Sequence, residues 1–231
     1  MSKIQHNLQM IGLEIARDCQ RFGRDPAHVS LLAVSKRHPA EAIREAYDSG
    51  QRSFGENYVQ EMLEKAELLK DLGVEWHFIG PLQSNKSKDV AATASWVHTI
   101  DRLKIARRLS EQRPNSMSPL NVCLQVNVNN EASKSGVSLG DLDDLLESVS
   151  VLPNIKVRGL MAIPQATKDL ELQRQNFRLL ADAQMRLNKA GYELDALSMG
   201  MSGDMDAAIA EGATIVRIGT AIFGERPTDK A

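Results

Sequence analysis

The sequence predicts an α/β fold: a single closed (β/α)8 TIM barrel with an extra N-terminal helix. Three observations predict it. Apolar periodicity switches repeatedly between short strand-like runs and helix-like stripes. Eight such strand–helix units fit into 231 residues, about the minimum length for closing this barrel. Alternating strands and helices also imply parallel pairing, because each crossover must pack back on the sheet. A doubly wound open sheet shows the same alternation and is the competing architecture. No linker or low-complexity tract divides the chain, so residues 1–231 read as one domain.

In chain order, Ile4, Leu8, Ile11 and Ile15 mark an amphipathic opening helix, closed by Gly23 and Pro26. Residues 31–36 form the first strand, and Pro39 suits the first turn of the helix bearing Ile43, Ala46 and Tyr47. Residues 53–57 are strand two, followed by a helix with Val59, Met62, Leu63, Ala66 and Leu69 on one side. Residues 76–79 are strand three, stopped by Gly80-Pro81, and a weak helix near 86–93 leads to strand four at 96–100. Asp101 is placed to cap the helix bearing Leu103, Ala106 and Leu109. Strand five spans 121–128, and Leu142, Leu145, Leu146, Val149 and Leu152 mark the helix after it. Strand six, 155–163, ends at Pro164, before a long helix striped by Phe177, Leu180, Ala181, Gln184 and Leu187. Strand seven, 197–200, precedes a helix through Met205, Ala208 and Ile209; strand eight, 215–219, precedes a short helical segment at 221–223.

Composition excludes several classes. With 42% hydrophobic and 25% charged residues, the chain is too ordinary for disorder. A net charge of −2 offers no basic surface for nucleic acid. Apolar runs reach only strand length, so no membrane span is expected, and residues 1–6 lead into a polar-faced helix rather than a signal-peptide core. Cys19 and Cys123 alone cannot build a disulfide framework or a cysteine zinc site, and they fit a reducing cytoplasm. No His/Asp/Glu cluster has metal spacing.

A barrel of this kind places its active site at the C-terminal strand ends. Those ends carry Lys36, Asn57, Gly80-Pro81, Asp101, Asn127 with Asn129, Met161, the run 198–202, and Arg217 with Gly219-Thr220. By alternation Lys36 shares a face with Leu32 and Val34. An interior lysine deprotonates readily and becomes a nucleophile for a carbonyl; at a strand end it can equally snorkel to water. Arg217 interrupts Ile215-Val216-x-Ile218 and so faces the barrel interior, where it needs a ligand or a carboxylate. The loops Gly200-Met201-Ser202-Gly203-Asp204 and Gly219-Thr220-Ala221 put small residues just before helices, where backbone N–H groups suit a phosphate. A phosphate site facing a reactive lysine suggests a phosphorylated carbonyl compound.

Other motifs are weaker. Gly80 to Ser87 is one residue short of a P-loop, with Asn85 in place of a glycine. His77 and His98 read as satisfied core histidines, and Asp141, Asp143 and Asp144 as a solvated helix start. Residues 133–136 read as a mobile polar loop, with Lys134 at the surface or touching a ligand.

Several strings then resemble one family, the pyridoxal phosphate homeostasis proteins. They are Ala33-Val34-Ser35-Lys36, Phe54-Gly55-Glu56-Asn57-Tyr58-Val59-Gln60-Glu61 and Trp76-His77-Phe78-Ile79-Gly80-Pro81-Leu82-Gln83-Ser84-Asn85-Lys86. Lys134-Ser135-Gly136, Arg158-Gly159-Leu160-Met161, Ser198-Met199-Gly200-Met201-Ser202 and Arg217-Ile218-Gly219-Thr220-Ala221-Ile222-Phe223-Gly224 continue the resemblance along nearly the whole chain. It implies a fold like the N-terminal barrel of alanine racemase, with pyridoxal 5′-phosphate (PLP) as cofactor. Lys36 would form the internal aldimine, and Arg217 would face the pyridine nitrogen. Ser202, Gly219 and Thr220 would hold the phosphate, helped by Ser198 and Met199, and Asn57 would lie near the ring.

The resemblance also implies a role in binding, buffering or delivering PLP, without established catalysis and with PLP-dependent apo-enzymes as acceptors. Physical reasoning bears on this. Arginine does not readily protonate the ring nitrogen, which leaves a poorer electron sink. Racemization wants a second acid/base group, which alanine racemase takes as a tyrosine from a C-terminal domain. Here only the short tail 225–231 follows the last strand, and Tyr47, Tyr58 and Tyr192 fall on helices or loops. A PLP-dependent racemase and a Schiff-base sugar-phosphate aldolase are the alternatives. Charged outer helices suggest a monomer.

Overall fold

The computed structural model describes residues 2–129, 131 and 134–225. Met1, Ser133 and the tail beyond Glu225, including Lys230, lie outside the described residues. The opening helix α1 (Lys3–Arg21) is capped by Ser2, whose hydroxyl accepts from Gln5 N–H. It buries Ile11, Ile15 and Cys19 and ends where Gly23 takes φ +66°. A turn at Pro26–His28 then feeds the barrel.

Eight parallel strands follow: β1 (Ser30–Val34), β2 (Ser53–Glu56), β3 (Glu75–Phe78), β4 (Trp96–Ile100), β5 (Leu120–Gln125), β6 (Ile155–Met161), β7 (Ala196–Ser198) and β8 (Ile215–Ile218). They close in sequence order, with β8 pairing back onto β1 through Leu32↔Arg217. The open sheet is thereby excluded. The intervening helices are α2 (Ala40–Asp48), α3 (Val59–Leu68), α4 (Ser87–Thr93), α5 (Leu103–Gln112), α6 (Leu142–Ser150), α7 (Leu170–Lys189) and α8 (Met205–Ala210), with α9 (Thr220–Phe223) after β8.

Strand alternation divides the core into two parts. One buried layer lies between strands and helices and holds Ala33, Phe54, Phe78, Val97, Val122, Leu124, Val216 and Ile218. The other fills the barrel and holds Leu32, Val34, Ile79, Trp96, Cys123, Met161, Ala196 and Ile215. Val216 and Ile218 therefore face the helices, and Arg217 faces inward.

Some boundaries differ from expectation. Asp101 does not cap α5: Arg102 occupies the cap position, no side chain caps the helix, and Asp101 accepts from Arg102 Nη1 at 2.8 Å. Pro39 stands one residue before α2, at its cap. The fifth strand stops at Gln125 rather than 128, because Val126 bridges Val137 of the following loop. The sixth and seventh stop at Met161 and Ser198, although the next N–H groups still reach neighbouring strands, Ala162 N–H to Ser198 O and Met199 N–H to Ile215 O.

Gly159 sits where β6 and β7 meet most closely: a Cβ there would lie 1.7 Å from Ala196 O. Gly12, in the exposed middle of α1, has nothing within 4 Å of a Cβ. Gly159→Ala is therefore expected to lose about 3 kcal/mol of stability, and Gly12→Ala to gain about 0.5–1 kcal/mol, in urea denaturation.

Candidate functional site

At the C-terminal strand ends a cavity of about 270 Å³ is lined by Val34, Lys36, Asn57, Ile79, Ile163, Met201, Ser202, Gly203, Arg217, Gly219 and Thr220. Six expected residues meet here: Lys36, Asn57, Ser202, Arg217, Gly219 and Thr220. Ser198 is fully buried beneath the floor, and its Oγ accepts from Arg217 Nη1 at 2.7 Å. Met199 does not reach the cavity. Alternation turns its side chain into the outer layer, and its N–H donates to Ile215 O at 3.1 Å.

Arg217 is fixed from three directions. Its second arm donates to Ala162 O at 2.9 Å, and its backbone N–H to Gly200 O at 3.0 Å. Burial lowers its pKa to about 10, partly countered by Asp204, so it stays cationic at neutral pH. The same cation opposes, without cancelling, the burial that pushes the Cys123 thiol up to about 12.

Lys36 lies just past β1, between two anchored neighbours. The Lys65 ammonium, buried on α3, donates to Ser35 O at 2.8 Å, Glu56 Oε1 at 2.7 Å and Glu61 Oε1 at 2.6 Å. Ser35 Oγ also donates to Glu56 Oε1, at 2.7 Å, and Arg37 N–H donates to Glu61 Oε1. Arg37 takes the left-handed conformation, φ 62°. Burial raises the Glu56 pKa, against Lys65 and Ser35. Sequence reasoning missed Lys65 because Glu61 and Lys65, four apart, look like an ordinary surface pair.

The rim is made by the two small-residue loops. The first N–H groups of α9, at Thr220 and Ala221, have no intrahelical partner. A Cβ at Gly219 would stand 3.1 Å from Val34 O, so the bare backbone lets β8 and β1 close up at the mouth. After β7, Asp204 accepts from Met201 N–H at 2.6 Å and shapes the loop carrying Ser202. Asn57 Oδ1 is buried and has no hydrogen-bond partner among the described residues. An orphaned acceptor in a cavity wall fits a ligand that brings a donor.

The other strand-end residues serve the scaffold. A Cβ at Gly80 would stand 2.0 Å from Asn57 O, so this loop packs on backbone and cradles no phosphate. Asn127 and Asn129 tie loops together, to Glu131 O and to Asn176 Oδ1 at 2.8 Å each. Lys134 pairs with Glu131 at 2.8 Å and lines a neighbouring cavity that shares Asn57, Ile79 and Ile163. Among the described residues no His/Cys/Asp/Glu group could hold a metal, and no helix is long and apolar enough to cross a membrane.

A closed parallel barrel whose C-terminal mouth joins a lysine, an inward arginine and two small-residue loops defines a barrel with a binding site at its strand ends. Residues 3–227 match the family model described as alanine racemase, N-terminal domain. A Pseudomonas aeruginosa relative named pyridoxal phosphate homeostasis protein is 56% identical over 226 residues, covering 98% of this chain and 97% of the relative. PipY of Synechococcus elongatus, solved with PLP bound, is 38% identical at a TM-score of 0.80, covering 91% of this chain and all of PipY. Alanine racemase from Corynebacterium glutamicum, at 18% identity and a TM-score of 0.70, shares the fold; the match covers 99% of this chain and 62% of the racemase. The chain belongs to the alanine racemase N-terminal domain family and, within it, to the pyridoxal phosphate homeostasis proteins.

Two outcomes follow from the site's electrostatics. Lys65→Met leaves Glu56 buried without its cation and is expected to cost about 3–5 kcal/mol in chemical denaturation. His77 and His98 are buried with pKa values lowered by desolvation, that of His98 well below 6.5. The unfolded chain binds protons at both near pH 6.5, so folding stability is full above that pH and falls as pH drops toward the folded values. The limiting slope is about 1.4 kcal/mol per pH unit for each imidazole. A stability profile flat from pH 7 to 5 would contradict their buried neutral state.

Proposed function

We propose that this chain binds PLP covalently but reversibly through Lys36 and holds it for buffering or delivery to PLP-dependent apo-enzymes, without turnover. One observation carries the reading: Lys36, Arg217 and the two phosphate-type loops share a single cavity of about 270 Å³. Residues and cofactor match in chemistry. PLP supplies an aldehyde that an amine captures with loss of water. Lys36 supplies the amine. Arg217 faces the ring nitrogen as a donor that keeps its own proton. Ser202, Gly219 and Thr220 take the phosphate, with Ser198 supporting Arg217 from below and Asn57 Oδ1 accepting a donor from the ligand. The relative names and the PLP-bound PipY structure support the same ligand.

The absence of turnover is argued from the lining. Among the described residues that line the cavity, Lys36 and Arg217 alone titrate. Tyr47 OH is occupied by Gly73 N–H at 3.2 Å, Tyr58 is half exposed on the outside, and Tyr192 packs against the outer core. The described lining residues include no second acid or base of the kind that proton exchange at a substrate carbon requires. A reducing cytoplasm, suggested by two buried free cysteines, a monomeric state and one domain over residues 1–231 complete the proposal.

Borohydride reduction of PLP-loaded protein, followed by peptide mapping, is expected to label Lys36. Lys36→Ala should lose the label and the visible absorption while keeping weak phosphate-dependent binding. No solvent deuterium should enter the α-carbon of any amino acid in a broad panel. A label on another lysine would overturn the assignment, and deuterium incorporation would favour the racemase alternative.

A further inference from the structure

TIM-barrel interiors are ordinarily filled by layers of branched apolar side chains. This interior is instead crossed by a line of polar groups running from the cavity floor on β8 and β7 to β4 and the foot of β3. Arg217 Nη1 donates to Ser198 Oγ at 2.7 Å. Ser198 Oγ lies 2.7 Å from His98 Nδ1, and His98 Nε2 lies 2.9 Å from His77 Nδ1. His77 Nε2 stands 3.3 Å from Glu75 Oε2, at ion-pair distance but off hydrogen-bond alignment. Glu75, at the first position of β3, is anchored in turn: Oε2 accepts from Ser53 Oγ at 2.7 Å and Oε1 from Trp96 Nε1 at 3.2 Å.

The two ends fix the sense of the whole line. Guanidinium is donor only, and an ionised carboxylate is acceptor only. The adjacent His77 imidazole, against burial and with help from Ser53 Oγ–H and Trp96 Nε1–H, lowers the Glu75 pKa to about 2, so it is ionised. Ser198 Oγ keeps a second lone pair beside the one Arg217 occupies, so the Glu75 end decides: with His77 presenting Nε2–H to the carboxylate, the Ser198 hydroxyl proton points to His98 Nδ1. His98 then carries its proton on Nε2 and donates to His77 Nδ1. His77 carries its own on Nε2, toward Glu75. The opposite sense would set an imidazole lone pair against the carboxylate, or require a doubly protonated ring in a fully buried place. The charged groups around the line agree with this arrangement. His98 faces His77 and Arg217; Trp96 stacks on His77 at 5.5 Å; Arg158, over Trp96, is neutralised by Asp195 at 2.6 Å. Among the described residues, Arg217 donates its side-chain hydrogen bonds to Ser198 Oγ and Ala162 O and to no carboxylate; Asp204 acts on it through space, and the line is its hydrogen-bonded route toward an anion.

We propose that His98 and His77 are positioning residues, which with Ser198 wire the Arg217 guanidinium to the Glu75 carboxylate across the barrel and so hold the cation aimed at the ring nitrogen of bound PLP. This rests on the reading that the cavity binds PLP. Neither histidine touches the ligand. Each acts through Ser198, by fixing which way its hydroxyl points.

The wire is read first in protein without cofactor, by long-range nitrogen–proton NMR of the imidazoles. Both rings are expected neutral with the proton on Nε2, from pH 8 to 6. Either ring protonated on Nδ1, or titrating near 6.5, overturns the wire. The second arm uses Glu75→Gln, at the half-exposed end, where folding survives most readily. It should change the His77 signal, weaken PLP affinity about fivefold and shift the visible maximum of the loaded protein, while borohydride still labels Lys36. A fivefold change corresponds to one hydrogen bond of about 1 kcal/mol. His98→Gln, whose amide can accept from Ser198 and donate to His77, should restore most of the affinity lost in His98→Leu. Unchanged affinity and absorption in Glu75→Gln would overturn the positioning role. Wild-type protein that takes up no PLP, with the tautomers as assigned, would overturn the cofactor reading and the ligand half of the proposal together; the wire would then stand on the NMR alone.

Discussion

A guanidinium inside a closed sheet must be given acceptors, because an uncompensated buried charge costs several kcal/mol. Arg217 is in that position, only 4% exposed and surrounded on three sides by barrel wall. The interior is arranged around it. Leu32, Val34, Ile79, Met161 and Ile215 fill part of the interior in the usual apolar way. Across it, apolar packing gives way to Ser198, His98, His77 and Glu75. A carboxylate directly against Arg217 would neutralise it at close range. A neutral chain ending on a remote carboxylate satisfies the donor and leaves more of the positive field at the mouth, where an acceptor on a ligand can use it.

The mouth combines fixed and adaptable parts. Below it, the strands are locked by parallel ladders that close on themselves. Beside it, the residues before and after Lys36 are held through one buried ammonium, that of Lys65. The long lysine side chain is thus carried on an immobile backbone. Its amine is carried at the end of a four-carbon stem from a root that does not wander. The phosphate side relies on bare backbone, where Gly200 takes φ +93° and Gly219 presses on Val34 O. Binding to such a surface requires little ordering on association, which favours affinity without any catalytic group.

The proposed absence of turnover has a basis in the chemistry of PLP sites. A cation at the ring nitrogen that keeps its proton weakens the cofactor as an electron sink, and catalysis then needs a strong base placed opposite the lysine. The cavity lining offers Ile163, Met201 and Asn57 in its remaining walls, which shape and occlude but do not exchange protons. Storage and release ask less of a site than turnover does: a reversible amine, a phosphate grip and a mouth open enough for exchange.

Much of this was legible in the sequence. Periods of 2 and about 3.6 fixed eight strands, nine helices among the described residues and their order, since local periodicity reports which face of an element is buried. It also put Lys36 and Arg217 on the inner face, because alternation is a property of the strand alone. Where a role depended on a partner, the sequence was silent. Met199 stands beside Ser198, yet one turns outward and the other inward, and only the closed sheet shows that Ser198 meets Arg217. His77 and His98 read as two separate core histidines, because their 2.9 Å contact exists only through the β3–β4 register. Lys65 reads as a surface lysine until α3 docks it over Glu56. Asp101 reads as a helix cap until the chain turns one residue later than its side chain requires. The sequence alone determined what each side chain is and which way its element turns it. Register and barrel closure decided what it touches, because contacts such as those of Ser198 join residues that lie 19 to 100 positions apart along the chain.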